Sequence, residues 1–86
     1  MITFNDKKYE KVVSDEYFFL YNLETNKIYL FNKTSRYIME QITIGVNIED
    51  IIKNFCEYDD FDVDIVTKDF KRALQFFYKE EFIYDE

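Results

Sequence analysis

Eighty-six residues are expected to make a single domain over 1–86, and a chain this short buries roughly 60–65% of the surface it exposes when unfolded. Eleven Lys and Arg against eighteen Asp and Glu leave a formal charge of −7, a field that repels phosphate backbones and anionic lipid and so argues against nucleic acid or membrane as partners. With no His, one Cys and one Gly, the usual nucleophile–base pairs, Cys/His zinc sites and glycine-rich phosphate loops are excluded.

No enzyme activity, cofactor or metal is therefore expected. Cys56 has no partner for an internal disulfide. The opening residues Met1-Ile2-Thr3-Phe4-Asn5-Asp6 lack an apolar signal core, and the longest apolar run, Tyr17 to Tyr21, is too short to span a bilayer. The expected location is the reducing cytoplasm. Ten Phe and eight Tyr exceed what a minimal core needs. Either some of these rings line a surface, or the codon usage of an AT-rich genome has raised the count without functional cause.

Three strands come first. Tyr9 to Val13 is a weak one, with Tyr9, Val12 and Val13 set among charges. Tyr17 to Leu23 and Ile28 to Phe31 are strong ones. Glu24-Thr25-Asn26-Lys27 joins the last two as a hairpin turn, in which Asn26 takes positive φ at lower cost than most residues. Three helices follow. The first spans about Lys33 to Thr43, with Asn32 as N-cap, Ser35, Ile38 and Ile42 on its buried face, and Gly45 as its terminator. The second starts after Asn47, which has Asp50 three residues on in a variant capping box, and its buried stripe is Ile48, Ile51, Ile52 and Phe55 with Cys56 beside it.

The third helix is predicted from about Asp62 to Phe82. Val63, Val66, Phe70, Leu74 and Phe77 make its core stripe, while Ile65, Asp69, Ala73 and Phe76 form a second row to one side and Lys68 and Arg72 point away. So wide an apolar face fits a helix that borders a groove as well as a core; partly exposed apolar residues account for it equally well. Asp60-Phe61-Asp62-Val63-Asp64 imitates the start of an EF-hand loop. It then fails, with Ile65 where Gly is required and Lys71 where a bidentate Glu is required. Acidic residues at a helix N-terminus explain the run. The fold class is α+β: a winged helix-turn-helix-like arrangement with an N-terminal three-stranded antiparallel sheet followed by a three-helix bundle.

The segment Phe19-Leu20-Tyr21-Asn22-Leu23-Glu24-Thr25-Asn26-Lys27-Ile28-Tyr29-Leu30-Phe31-Asn32-Lys33-Thr34-Ser35-Arg36-Tyr37-Ile38-Met39 resembles the signature of the PqqD-like family. The shared pattern is a strand ending in Asn-Leu, a Glu-Thr-x-Lys turn, a second strand, then Asn-x-Thr leading into a helix. Downstream, Ile48-Glu49-Asp50-Ile51-Ile52, the acidic stretch at Asp62-Val63-Asp64 and a long last helix keep the same order, so the resemblance covers about Tyr17 to Ile83. Asn26 stands where the family usually has a turn glycine, and Phe31 where it usually has Leu.

The family comprises RiPP recognition elements, peptide chaperones of natural product biosynthesis. The resemblance implies that the leader peptide of a ribosomally synthesised precursor adds as a strand to the third strand's edge. It then lies against the last helix and is presented to a modifying enzyme such as a radical SAM maturase, a cyclase or a leader peptidase. The peptide-binding candidates are then Ile28, Tyr29, Leu30 and Phe31 on the strand and Ile65, Asp69, Ala73 and Phe76 on the helix. Asp69 either bonds a polar or basic leader side chain or is an ordinary solvated residue. Two rival readings are a small dimerising subunit whose open edge pairs with its own copy, and a DNA-binding winged helix, for which the acidic start of the last helix is unsuited.

Overall fold

The computed structural model describes residues 2–59 and 62–86. It runs β1 (Ile2–Phe4), β2 (Tyr9–Val13), β3 (Phe18–Asn22), β4 (Ile28–Leu30), α1 (Lys33–Thr43), α2 (Ile48–Asp59), α3 (Val63–Lys79) and β5 (Ile83–Asp85). β2, β3 and β4 form an antiparallel sheet in that order, with Val12 opposite Phe19 and Phe19 opposite Leu30. With the three helices this is the expected α+β, winged-helix-like arrangement. The hairpin closes as its residues dictate. The Asn22 side-chain oxygen accepts the N–H groups of Glu24 and Thr25 at 2.8 and 3.0 Å, and Asn26 turns the chain at φ 63°.

Local signals also set the helix ends. The Asn32 side chain accepts the Ser35 N–H at 2.8 Å. Asn47 accepts the Asp50 N–H at 2.9 Å, and its amide donates back to the Asp50 carboxylate at 3.0 Å. Asp62 caps α3 by accepting from Asp64 and Ile65, which gives that part of the acidic run a structural role. Asp60 and Phe61, the rest of the imitation calcium loop, lie outside the described residues.

Two elements depart from expectation. The last helix stops at Lys79 instead of reaching Phe82, and the residues beyond it form β5, which pairs antiparallel with the unforeseen strand β1 (Ile2 opposite Asp85, Phe4 opposite Ile83). The stop is a Schellman motif: Glu81 donates to the Tyr78 carbonyl at 3.0 Å and Phe82 to the Phe77 carbonyl at 2.9 Å, with Glu81 left-handed at φ 60°. α1 ends in the same motif, where Val46 donates to Gln41 and Gly45 takes φ 97°. Glycine adopts that conformation freely; glutamate pays a steric penalty and so sends no signal at the level of sequence. Glu81→Gly is accordingly expected to stabilise the fold by about 1 kcal/mol. Thermal and urea denaturation check it, and an unchanged or lower midpoint would count against the assignment.

The core gathers Tyr9, Phe18 and Leu20 from the sheet, Ile38, Met39 and Ile42 from α1, Ile51, Ile52 and Cys56 from α2, and Val66, Phe70 and Phe77 from α3, closed by Phe82 and Ile83. Val63, expected in the α3 core stripe, is exposed at the first turn of that helix instead. Phe82 is fully buried, and its ring lies 5.0 to 6.0 Å from those of Tyr9, Tyr29, Phe31, Phe76 and Phe77. Such centroid separations are those of favourable aromatic pairs. The Tyr9 hydroxyl donates to the Glu80 carbonyl at 2.7 Å, fixing the sheet to the turn after α3. Tyr78 donates to Asp85 at 2.7 Å, and burial together with that carboxylate pushes its phenol up to about 12. Among the described residues no helix is long and apolar enough to cross a membrane.

Candidate functional site

β4 lies at the margin of its sheet, and the parity of its backbone decides what that margin offers. Antiparallel neighbours alternate between pairs that exchange both hydrogen bonds and pairs that exchange none. Asn22 donates to the Lys27 carbonyl and Phe31 to the Phe18 carbonyl, both at 2.9 Å, so positions 27, 29 and 31 turn their polar groups toward β3. Ile28 and Leu30 turn theirs the other way. The free margin therefore presents two N–H and two C=O groups, and no other strand of the described residues pairs with it.

Side chains alternate with the same period. Tyr29 and Phe31 enter the aromatic cluster on the core side, where Phe31 lies 5.6 Å from Phe77, and the Tyr29 hydroxyl donates to the Glu80 carboxylate at 3.2 Å. Burial, followed by the nearby Glu80 charge, raises the Tyr29 phenol above its ordinary value. Ile28 and Leu30 project to the opposite face beside Tyr21 and Phe19 and are 60% and 74% exposed. That outer face continues with the stacked rings of Tyr17 and Phe19, 5.6 Å apart.

Between this margin and α3 runs a groove. Its first part, a cavity of about 320 Å³, is lined by the β4 residues Ile28, Tyr29 and Leu30 with Phe31, and by Phe76 and Phe77 of α3. Its second part, about 450 Å³, lies between α1 and α3, with Ile38, Ala73 and Phe76 as apolar lining and Thr34, Asp69 and Arg72 as polar lining. The two parts share Asn32, Ser35 and Phe76. From Asp69 to Phe77 the helix rises about 12 Å, the length of about four extended residues. Phe76, half exposed, stands where the two parts meet.

Seven of the eight residues singled out in the sequence line this groove: Ile28, Tyr29, Leu30, Phe31, Asp69, Ala73 and Phe76. Ile65 does not. It is 61% exposed one turn before Asp69, outside both cavities. Arg72, expected to point away, lies at the groove and sits 3.9 Å from the Asp69 carboxylate, an exposed pair worth little to stability. The sequence reading also passed over Ser35 and Ile38 as groove residues and Phe82 as the strut beneath. Phe82 touches rings on both walls, Tyr29 and Phe31 on one side and Phe76 and Phe77 on the other. Only the chain reversal at Glu81 brings it there.

No family model matches the chain, and no curated protein matches it. Among solved structures, TbiB1 in complex with the TbiA(beta) leader peptide matches with a TM-score of 0.82 at 19% identity, over 98% of this chain and 99% of that one. The two chains share a fold over nearly their whole lengths. At that identity the likeness is one of architecture.

Proposed function

We propose that residues 1–86 form one leader-peptide-binding domain of the PqqD-like kind, which accepts a precursor's leader as an added strand on β4 and presents it to a modifying enzyme. The observation that carries this reading is the free β4 margin beside the α3 groove, in a fold shared with a protein solved holding a leader peptide. The domain acts without catalysis or cofactor of its own, in the cytoplasm. Its partner enzyme is a radical SAM maturase, a cyclase or a leader peptidase.

The energetics assign parts to backbone and side chains. Four hydrogen bonds at about 0.5–1.5 kcal/mol net each give about 2–6 kcal/mol. A micromolar complex needs about 8 kcal/mol, and ordering the peptide adds to that requirement. Apolar side chains of the guest must supply the difference. Guest residues opposite Tyr29 and Phe31 face the groove and meet Phe76, Phe31 and Ala73; those opposite Ile28 and Leu30 face outward. At the far end Asp69 offers an acceptor to a basic or polar guest side chain, in keeping with the charge of −7.

The test is calorimetric titration with synthetic leader segments, made from the N-terminal halves of short open reading frames found on inspection of the neighbouring genes. Micromolar or tighter binding is expected, weakened at least about tenfold by Phe76→Ala, which removes apolar contact area, and by Leu30→Lys, which sets a charge at the margin. Unchanged affinity in both folded variants would remove the groove from the account.

A further inference from the structure

We infer that in the absence of a guest two copies of this chain join β4 to β4 about a twofold axis beside Tyr29, so that self-association and guest binding compete for one margin. The competition rests on the leader-binding reading; the pairing itself does not.

The margin is complementary to itself. Its outward groups belong to Ile28 and Leu30, one residue to either side of Tyr29. In an antiparallel pair centred on Tyr29, Ile28 of each copy stands opposite Leu30 of the other, and each of these two pairs exchanges both of its bonds. All of the outward donors and acceptors are then used. A shift of one residue sets outward groups against inward ones, and a shift of two forfeits half of the bonds. One register is therefore selected by parity and bond count together, and it is isologous, as a closed dimer requires.

The side chains agree with that register. On the outer face Phe19 neighbours Leu30 and Tyr21 neighbours Ile28. The joint would place Leu30 against Ile28 of the second copy and make an uncharged row of Phe19, Leu30, Ile28 and Tyr21 across the two sheets. Edge strands usually carry a charge, a proline or a bulge that discourages pairing; Ile28-Tyr29-Leu30 has neither charge nor proline. On the other face Phe76, 47% exposed, flanks the margin in each copy and gains cover from the joint. Opposing all this is the charge of −7 on each copy. Salt screens that repulsion, so association strengthens as ionic strength rises.

Sedimentation velocity on the full chain decides the matter. The weighted sedimentation coefficient is expected to rise with loading concentration between about 10 µM and 1 mM, the range for a small joint that must offset the entropy of association, and to rise further in high salt. Ile28→Pro removes an outward N–H and an exposed side chain but no bond to β3, so it keeps the wild-type circular dichroism spectrum and stays monomeric; Leu30→Lys behaves likewise through charge. A single monomer at every concentration and salt level would overturn the pairing, as would association of both folded variants at wild-type strength. Adding the synthetic leader segment is expected to return the dimer to monomer. A leader that binds while the dimer persists overturns the competition, whereas a leader that binds a strictly monomeric chain overturns the pairing and leaves the leader-binding function standing.

Discussion

Phe82→Ala is expected to cost about 3–5 kcal/mol, the range for removing a large buried ring that leaves a cavity. For 86 residues the whole stability is on the order of 4–13 kcal/mol, so the variant gives up between about a quarter of it and all of it. The ring is fully buried and faces five others from the sheet, from α3 and from Phe31. Urea denaturation followed by circular dichroism measures the loss, and a cost below about 1 kcal/mol, the centre of the range for point mutations in general, would contradict its place as the hub. Phe82→Leu separates stability from function. It keeps most of the volume, and the fold with it, but loses the rigid ring that contacts Tyr29 and Phe31 on one wall and Phe76 and Phe77 on the other. Leader affinity should therefore fall by more than the change in stability alone explains.

The second large effect isolates the backbone of β4. Leu30→Ala removes a side chain that is 74% exposed and leaves the outward N–H in place. Leu30→Pro removes that N–H as well, and because the group points away from β3 the sheet survives. A guest carbonyl left without its donor inside a closed joint costs about 1–3 kcal/mol, or about five- to 150-fold in affinity. Titrations of the leader segment into the two folded variants should therefore differ by at least fivefold, with the proline variant the weaker. Equal affinities would mean that the guest does not pair through the margin, and strand addition would have to be given up.

Much of this architecture was legible because its signals are local. Asn22 and Asn26 make the hairpin from their own side chain and their own tolerance of positive φ. Asn32, Asn47 and Asp62 satisfy helix N–H groups within three residues of themselves, and Gly45 reverses the chain as only glycine does without strain. The row Asp69, Ala73 and Phe76 was legible from helical periodicity because α3 is regular through those positions.

What stayed hidden depended on contacts between distant parts of the chain. Glu81 adopts a conformation its type disfavours, and bonds from far along the chain hold the turn there: Asn5 donates to the Glu81 and Phe82 carbonyls and Tyr9 to the Glu80 carbonyl. That reversal ends the helix early, buries Phe82 beneath the rings that wall the groove and frees Ile83–Asp85 to pair with Ile2–Phe4. Three-residue strands carry too few residues to show a period, so neither could announce itself. By itself the sequence determined the hairpin, the helix starts and the apolar rows, since each follows from the chemistry of neighbouring residues. Which β4 groups face outward, which side of Phe76 is open and where Arg72 lies were decided by tertiary structure, because hydrogen-bond parity and exposure exist only once strands and helices have met.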